Sequence, residues 1–134
     1  MILIVLLVLA LFVLQTVLPN RFRQPAPADA ARTLSASPLG PRDLQPPLTV
    51  VGGRAERALA NLQEALPVFL ALALMNMIVG TAAATALTGG WVFLVARVLY
   101  VPAYLSGVPV LRTLIWVVSW VGLVMMLIPL LDRI

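Results

Sequence analysis

The sequence lacks cysteine, histidine and lysine, and each absence excludes a class of chemistry. Without cysteine there is no disulfide, no thiol nucleophile and no thiolate metal site. Without histidine there is no imidazole base and no ordinary haem or zinc ligand. The nine basic residues are therefore all arginines, and the sequence contains five carboxylate side chains. Any chemistry must rest on arginine, tyrosine, serine or threonine, and on groups that a substrate or cofactor brings. No metal site is predicted.

Charged residues are scarce, and hydrophobic residues dominate the chain. Only 10% of the 134 residues are charged and 62% are hydrophobic, whereas a soluble domain carries roughly 25% charged residues. This composition predicts an integral membrane protein, in contact with the lipid bilayer, with a single domain. The net charge of +4 does not indicate nucleic-acid binding, because the arginines are spread along the chain without a basic patch.

Long apolar segments predict four membrane-spanning helices, and hence an all-α four-helix bundle. The first segment, residues 1–18, is just long enough to cross the bilayer core at ~1.5 Å per residue. The other three spans are predicted over residues 54–79, 91–105 and 112–131. The segment Ser106-Gly107-Val108-Pro109 is typical of a tight connection between the last two spans.

The connection between the second and third spans lies within a long stretch of uncharged residues. Between Glu64 and Arg97 lie 32 uncharged residues. As one helix they would extend for ~48 Å, which exceeds a hydrocarbon core of ~30 Å. The stretch must therefore contain a turn, and residues 88–90, Thr-Gly-Gly, are the best candidate.

Residues 19–53 differ in kind from the rest of the chain. They hold seven of the eleven prolines, four arginines and two aspartates, which predicts an extended aqueous loop ended by Gly52-Gly53. The chain is thus divided into a first helix (1–18), this loop (19–53) and a core of three helices (54–134). Because the arginines cluster on the loop's side, the positive-inside rule places the loop in the cytoplasm and both termini on the opposite side.

A short polar string interrupts the apolar helices at helical spacing. Its members fall on three predicted helices: Arg57, Asn61 and Glu64 on the second, Arg97, Tyr100 and Tyr104 on the third, and Arg112 at the start of the fourth. Charges inside membrane segments cost ~2.5–3.5 kcal/mol each and by default mark function. The spacing puts each set on one stripe of its helix. It predicts a polar site between helices for a small zwitterionic or polyanionic ligand with carboxylates and an amine.

The same residues also have a purely structural interpretation. Arg54 and Arg57 can extend their side chains to the membrane–water interface and have no role beyond setting the orientation of the helix in the membrane. Glu64 can pair with Arg57 or Arg97 and lock two helices together. The tyrosines can be interfacial anchors, and the three tryptophans are interpreted as belt or packing residues. Spacing alone leaves both interpretations open.

Three segments resemble the MAPEG family (membrane-associated proteins in eicosanoid and glutathione metabolism). Residues 57–67, Arg-Ala-Leu-Ala-Asn-Leu-Gln-Glu-Ala-Leu-Pro, resemble its second-helix signature, in which Arg-x-x-x-Asn-x-x-Glu is followed by proline. Residues 97–104 resemble its third-helix segment, and residues 111–113, Leu-Arg-Thr, resemble the Arg-Ser pair that opens its fourth helix. The resemblance covers about residues 53–131. Within the family, the chain resembles a bacterial-type member.

The resemblance implies a homotrimer of four-helix subunits that binds glutathione in a cytoplasm-facing cleft between neighbouring subunits. By this resemblance, Arg57, Asn61 and Glu64 would hold the charged ends of the peptide. Arg97 and Tyr104 would complete the pocket, with Tyr100 beside them. By the same resemblance Arg112 would stabilise the glutathione thiolate, and Thr113 replaces the serine often found next to it.

The leading hypothesis is a glutathione-dependent membrane transferase or peroxidase that acts on hydrophobic electrophiles or lipid hydroperoxides, with the lipophilic substrate arriving from the bilayer. The alternative is a non-catalytic protein, either lipid-binding or an accessory or scaffold subunit of a larger membrane complex. A small multidrug-type exporter is disfavoured, because those chains carry their essential glutamate in the first helix, and residues 1–18 have no charge.

Overall fold

The fold is a bundle of four α-helices. The structure, a computed structural model, describes residues 1–24, 47–80 and 84–133. Its helices are α1 (Ile2–Val17), α2 (Val50–Ile78), α3 (Ala84–Ser106) and α4 (Pro109–Leu131), with a 3₁₀ turn at Pro19–Phe22. Four helical segments are long and apolar enough to span a membrane: α2, α3, α4, and α1 together with the 3₁₀ turn that follows it. The described ranges contain no strand. The predicted all-α membrane bundle is confirmed.

Most of the predicted long loop, residues 25–46, lies outside the described residues, but its two ends are held together. Arg23 and Leu48 form an isolated antiparallel bridge. The hydroxyl of Thr49 donates to the carbonyl oxygen of Phe22 at 2.7 Å. The end of α1 and the start of α2 are therefore tied side by side at one end of the bundle.

Helix α2 begins earlier than the sequence predicts. Thr49 is its N-cap, and the Thr49 hydroxyl accepts a hydrogen bond from the amide of Gly52 at 3.1 Å. This cap satisfies one of the amides that the first turn of a helix leaves without a partner. Gly52 and Gly53 thus lie in the first turn of α2 and do not end the loop.

The predicted turn at residues 88–90 is wrong. Helix α2 ends at Ile78, Gly80 has a φ of +67°, and α3 already begins at Ala84. Gly89 and Gly90 are buried inside α3. The pair serves helix packing, because Gly89 lies directly against the backbone of α4. A required turn between the two helices is confirmed, but it comes before the glycine pair.

The connection between α3 and α4 is a tight turn, as predicted. Gly107 has a φ of +78°, a backbone conformation that favours glycine. Pro109 then occupies the first turn of α4, where its missing amide costs no hydrogen bond. This turn brings the last residues of α3 and the first residues of α4 to one end of the bundle.

The core lies between the four helices, and α1 contributes Ile4 and Val8 to it. The rings of Phe69 and Phe93 stack with centroids 4.7 Å apart and planes 8° apart. The amide nitrogen of Asn76 donates to the carbonyl oxygen of Met126 at 2.9 Å, which joins α2 to α4. Helix α1 is the most peripheral, with three buried residues: Ile4, Val8 and Gln15. The outward faces carry large apolar side chains, as expected of surfaces that contact lipid.

Candidate functional site

The predicted polar residues gather at one end of the bundle, where α2 begins and α3 turns into α4. Four of the seven line one open cavity of about 270 Å³, here called the polar groove. Its lining residues come from α2, α3 and α4: Asn61, Tyr100, Tyr104, Arg112, Thr113 and Trp116. The groove combines one cation, one amide, three hydroxyls and an indole. This set can bind a small polar or anionic molecule.

A continuous series of contacts between aromatic rings and guanidinium groups runs from the groove wall into the bundle behind it. The Arg112 guanidinium carbon lies 4.9 Å from the centroid of the Tyr104 ring. The Tyr104 and Tyr100 rings meet edge to face at 5.4 Å. The Arg97 guanidinium carbon lies 5.6 Å from the Tyr100 ring and 5.2 Å from the Phe93 ring. Cation–π contacts of this kind contribute ~0.5–2 kcal/mol each, so the stack holds Arg112 and the tyrosines in fixed positions.

Arg97 lies behind the groove wall and does not line it. The residue is only 1% exposed, and its Nη1 donates to Oδ1 of Asn61 at 2.7 Å. Its Nε and Nη2 have no hydrogen-bond partner among the described residues. Because only the oxygen of an amide can accept, this bond fixes the orientation of Asn61. The amide nitrogen of Asn61 is thereby left free to donate to a molecule in the groove.

Glu64 and Arg57 are exposed side chains on the outward face of α2, and Arg57 also borders a second cavity. Neither residue lines the polar groove. Glu64 makes no ion pair with Arg57 or Arg97, so within the described ranges the helix-locking pair of the structural interpretation is not formed. The second-helix stripe is thus divided between the groove wall and an open face.

A second, smaller cavity of about 90 Å³ adjoins the groove and is here called the three-arginine cavity. Its lining residues are Arg54, Arg57, Ala103, Tyr104, Gly107, Val108 and Arg112. Arg54 is anchored there, because its Nη1 donates to the carbonyl oxygen of Leu105 at 2.9 Å. Tyr104 and Arg112 belong to both cavities and separate one from the other.

Arg54 and Trp116 line these cavities but are not among the predicted site residues. Arg54 stands one helical turn before Arg57 on the same stripe, so its spacing indicates a place in the polar site as well as a topological role. Trp116 stands one turn after Arg112, where the sequence favours a belt or packing residue. The structure places both side chains in cavity walls.

The burial of Arg97 without a carboxylate partner gives a stability prediction. Arg97→Met is expected to change the free energy of unfolding by less than ~1 kcal/mol, because relief from burying an ion offsets the loss of its two cation–π contacts and of its hydrogen bond to Asn61. Asn61→Leu is expected to cost ~1–3 kcal/mol, because it removes the one hydrogen-bond partner that the described residues give the guanidinium. Thermal unfolding of both variants in detergent measures the difference. A larger loss in Arg97→Met than in Asn61→Leu would contradict this argument.

The family model described as MAPEG family matches residues 1–131 of the chain. Comparison with curated proteins and with solved structures yields no match. The family match includes α1, and therefore extends beyond the three segments that carry the resemblance in the sequence. The chain belongs to the MAPEG family, which includes glutathione transferases and related proteins.

Proposed function

We propose that the protein is a glutathione-dependent membrane transferase or peroxidase that acts on hydrophobic electrophiles or lipid hydroperoxides. The observation that carries this proposal is the position of Arg112. Its guanidinium is held against Tyr104 and lines a polar groove in a member of a family that includes glutathione transferases. A lipophilic substrate can reach such a groove from the bilayer, because the helices around it present apolar faces outward.

The residues around the groove fit the chemistry of glutathione, a peptide with two carboxylates and one ammonium group. Arg112 and the free amide nitrogen of Asn61 can donate to a carboxylate, and Arg binds carboxylates bidentately. Glu64 on the neighbouring face of α2 can accept from the ammonium group. The groove alone, at about 270 Å³, lies just below the ~300–1,000 Å³ of small-molecule sites. A tripeptide would therefore extend beyond it along α2, towards Glu64 and Arg57.

The reaction requires a thiolate, which glutathione supplies as the sulfur nucleophile. An unperturbed thiol has a pKa of ~8.5 and is mostly protonated at neutral pH. A nearby guanidinium lowers the pKa of a thiol by stabilising its anion. Arg112 is always charged and is held by the Tyr104 ring, so it can offer that positive charge without rearrangement.

We also propose that the outward face of α2 is covered by another copy of the chain in a homotrimer. Arg57 and Glu64 are exposed on this face within a membrane-spanning helix. Charged side chains facing lipid would cost ~2.5–3.5 kcal/mol each. A neighbouring subunit would remove that cost, and the glutathione cleft would lie between subunits. The arginine-rich first loop supports a cytoplasmic position for the loop and the cleft, with both termini on the opposite side.

The first test is calorimetric titration of the purified full-length protein with glutathione. We expect saturable binding that weakens tenfold or more in Glu64→Gln, because a hydrogen bond to a charged group contributes ~1.5–3 kcal/mol. Glu56→Gln is the matched control, since it removes another exposed carboxylate of α2 that lies off the Asn61–Glu64 stripe. Equal affinities for wild type and Glu64→Gln would refute the assigned role of Glu64.

The alternative function is a non-catalytic lipid-binding or accessory subunit, and one observation favours it. An apolar groove of about 470 Å³ runs between α1 and α3. Its lining residues are Leu7, Ala10, Leu11, Leu14, Leu94, Val95, Val98 and Leu99. A folded protein that binds no glutathione at millimolar concentration, and that copurifies with a stoichiometric partner, would favour this function over the enzymatic one.

A further inference from the structure

We propose that Trp116 and Trp120 form the surface that binds the second substrate, and that this substrate is a planar aromatic electrophile carrying a nitro or carbonyl oxygen. This inference rests on the proposed function and narrows it, from hydrophobic electrophiles in general to aromatic ones. Three properties of the two indoles carry it: their depth in the membrane, their exposure and their unpaired N–H groups.

The two tryptophans lie too deep in the membrane to serve as interfacial anchors. Helix α4 extends over Pro109–Leu131, so Trp120 lies at its midpoint, ~16 Å from either end at 1.5 Å per residue. Trp116 lies ~6 Å closer to the start of the helix. Interfacial tryptophans belong at the ends of a span. The belt interpretation drawn from the sequence therefore does not account for this pair.

The pair is not part of the packed core either. Trp116 is 37% exposed and Trp120 is 38% exposed. Their ring centroids lie 5.7 Å apart and their planes are inclined by 58°, so the two indoles form one angled aromatic surface. The neighbouring exposed side chains of α4, Val117 and Val121, are aliphatic. A lipid chain packs as well on aliphatic side chains, whereas two adjacent rings favour an aromatic ligand.

The indole N–H groups indicate which substituent the ligand carries. Neither N–H has a hydrogen-bond partner among the described residues. An indole that leaves water usually finds such a partner, and the hydrocarbon of a bilayer offers none. A ligand that lies on the two rings and carries a nitro or carbonyl oxygen supplies the acceptor. A saturated chain supplies neither the ring nor the oxygen.

The aromatic surface is continuous with the polar groove. Trp116 lines the groove together with Arg112 and Thr113, and Trp120 follows one helical turn deeper, beyond the groove lining. Arg112, Trp116 and Trp120 are spaced i, i+4, i+8, which puts them on one stripe of α4. A sulfur anion stabilised by Arg112 would therefore lie at the shallow end of the surface, next to the bound ring.

A nitroaryl halide illustrates the reaction. The thiolate, whose proton has gone to solvent, forms a bond from its sulfur to the ring carbon that carries the halogen, and a pair of ring electrons moves into the nitro group. An indole N–H donates to the nitro oxygen, where the negative charge gathers. The electron pair then returns to the ring. The carbon–halogen bond breaks, and the halide ion leaves with the bonding pair.

The experiment measures how strongly the full-length protein in detergent prefers an aryl to an alkyl electrophile. The selectivity is the kcat/KM for 1-chloro-2,4-dinitrobenzene divided by that for trans-3-nonen-2-one, with glutathione saturating. We expect Trp116→Leu to lower this ratio at least about fivefold, the size of one lost aromatic contact. Trp116→Phe should lower it less, because phenylalanine keeps a ring and loses only the N–H.

Matched variants separate the surface from a general effect of removing a tryptophan. Trp91→Leu removes an exposed indole of α3 that does not line the polar groove, and should keep the ratio within about twofold of wild type. Trp120→Leu should lower the ratio, and decides the test if Trp116→Leu fails to fold. An unchanged ratio in both Trp116→Leu and Trp120→Leu would overturn the proposal. A lower oligomer mass in these variants, measured by native mass spectrometry, with an unchanged ratio would assign the pair to a contact between copies.

The inference and the proposed enzymatic function fail separately. Calorimetric titration with 1,3-dinitrobenzene, which has no leaving group, tests the surface without glutathione. We expect saturable binding to wild type and to Trp91→Leu, and at least about fivefold weaker binding to Trp116→Leu. Saturable binding without any conjugation would refute the enzymatic function and keep the aromatic surface. Conjugation of both electrophiles with equal losses in Trp116→Leu would keep the enzyme and refute the surface.

Discussion

Replacing Gly122 with alanine is expected to lower the free energy of unfolding by about 3 kcal/mol, the upper end of the usual cost of overpacking. A Cβ at Gly122 would lie 2.7 Å from the carbonyl oxygen of Gly89 and 2.8 Å from the amide nitrogen of Phe93. A Cβ at Gly89 would lie 2.5 Å from the carbonyl oxygen of Gly122. These are backbone atoms, which cannot rotate away, so α3 and α4 would have to separate.

The size of this effect follows from the membrane setting. Lipid tails are as apolar as the helix surfaces, so helix association depends on close van der Waals packing between small residues. Gly89 and Gly122 each lie against the backbone of the other helix, so α3 and α4 approach each other closely at this point. The pair therefore determines the spacing of the hairpin that carries Tyr104 and Arg112 to the site.

Unfolding in mixed micelles, followed by circular dichroism, measures the loss. Gly53→Ala is the matched control, because the nearest atom to its added Cβ is Nη1 of Arg57 at 3.6 Å, an ordinary contact. That variant should be neutral or more stable by up to ~1 kcal/mol, since alanine is the better helix former. The double variant Gly89→Ala/Gly122→Ala should lose less than the sum of the two, because one separation relieves both clashes. Equal stabilities for Gly122→Ala and Gly53→Ala would contradict the close approach.

The same glycines show why part of the fold could not be predicted from the sequence. The number of helices follows from the long uncharged segments, and the turn at Gly107 follows from a local Gly-Val-Pro signal. The pair Gly89-Gly90 gives the same local signal, yet it lies inside α3. Its role depends on Gly122 in another helix, and no local pattern reports that contact. The actual turn has a single glycine, Gly80, at its start.

The candidate site was predictable to the level of helix faces. Spacing alone placed Asn61, Tyr100 and Tyr104 on stripes that could face one another, and the structure brings them into one groove. Spacing could not separate the residues on the groove wall from those behind it or beside it. That distinction depends on how the helices cross: Arg97 is buried against Asn61, whereas Glu64 faces outward. The roles of all these residues in glutathione binding remain predictions.

Removing the charge of Arg112 is expected to have the largest effect on activity. If the proposed function holds, Arg112→Leu should reduce glutathione conjugation of a hydrophobic aryl halide by about 10²–10³-fold, the usual cost of losing one group that stabilises a developing anion. Arg112→Lys should retain part of the rate, because it keeps the charge but loses the planar fork. The pH profile gives a second readout: the rate of Arg112→Leu should keep rising up to the ordinary thiol pKa of ~8.5, whereas wild type should level off at lower pH.

Steady-state rates in detergent, with glutathione saturating, separate this role from a loss of binding. Arg133→Leu is the control for charge, since it removes an exposed arginine beyond the end of α4, away from the groove. Tyr104→Phe should retain most of the activity, because it keeps the ring against which the Arg112 guanidinium packs. An Arg112→Leu variant with an unchanged rate and an unchanged pH profile would show that another group stabilises the thiolate. In that case Arg112 would serve only as a wall shared by the polar groove and the three-arginine cavity.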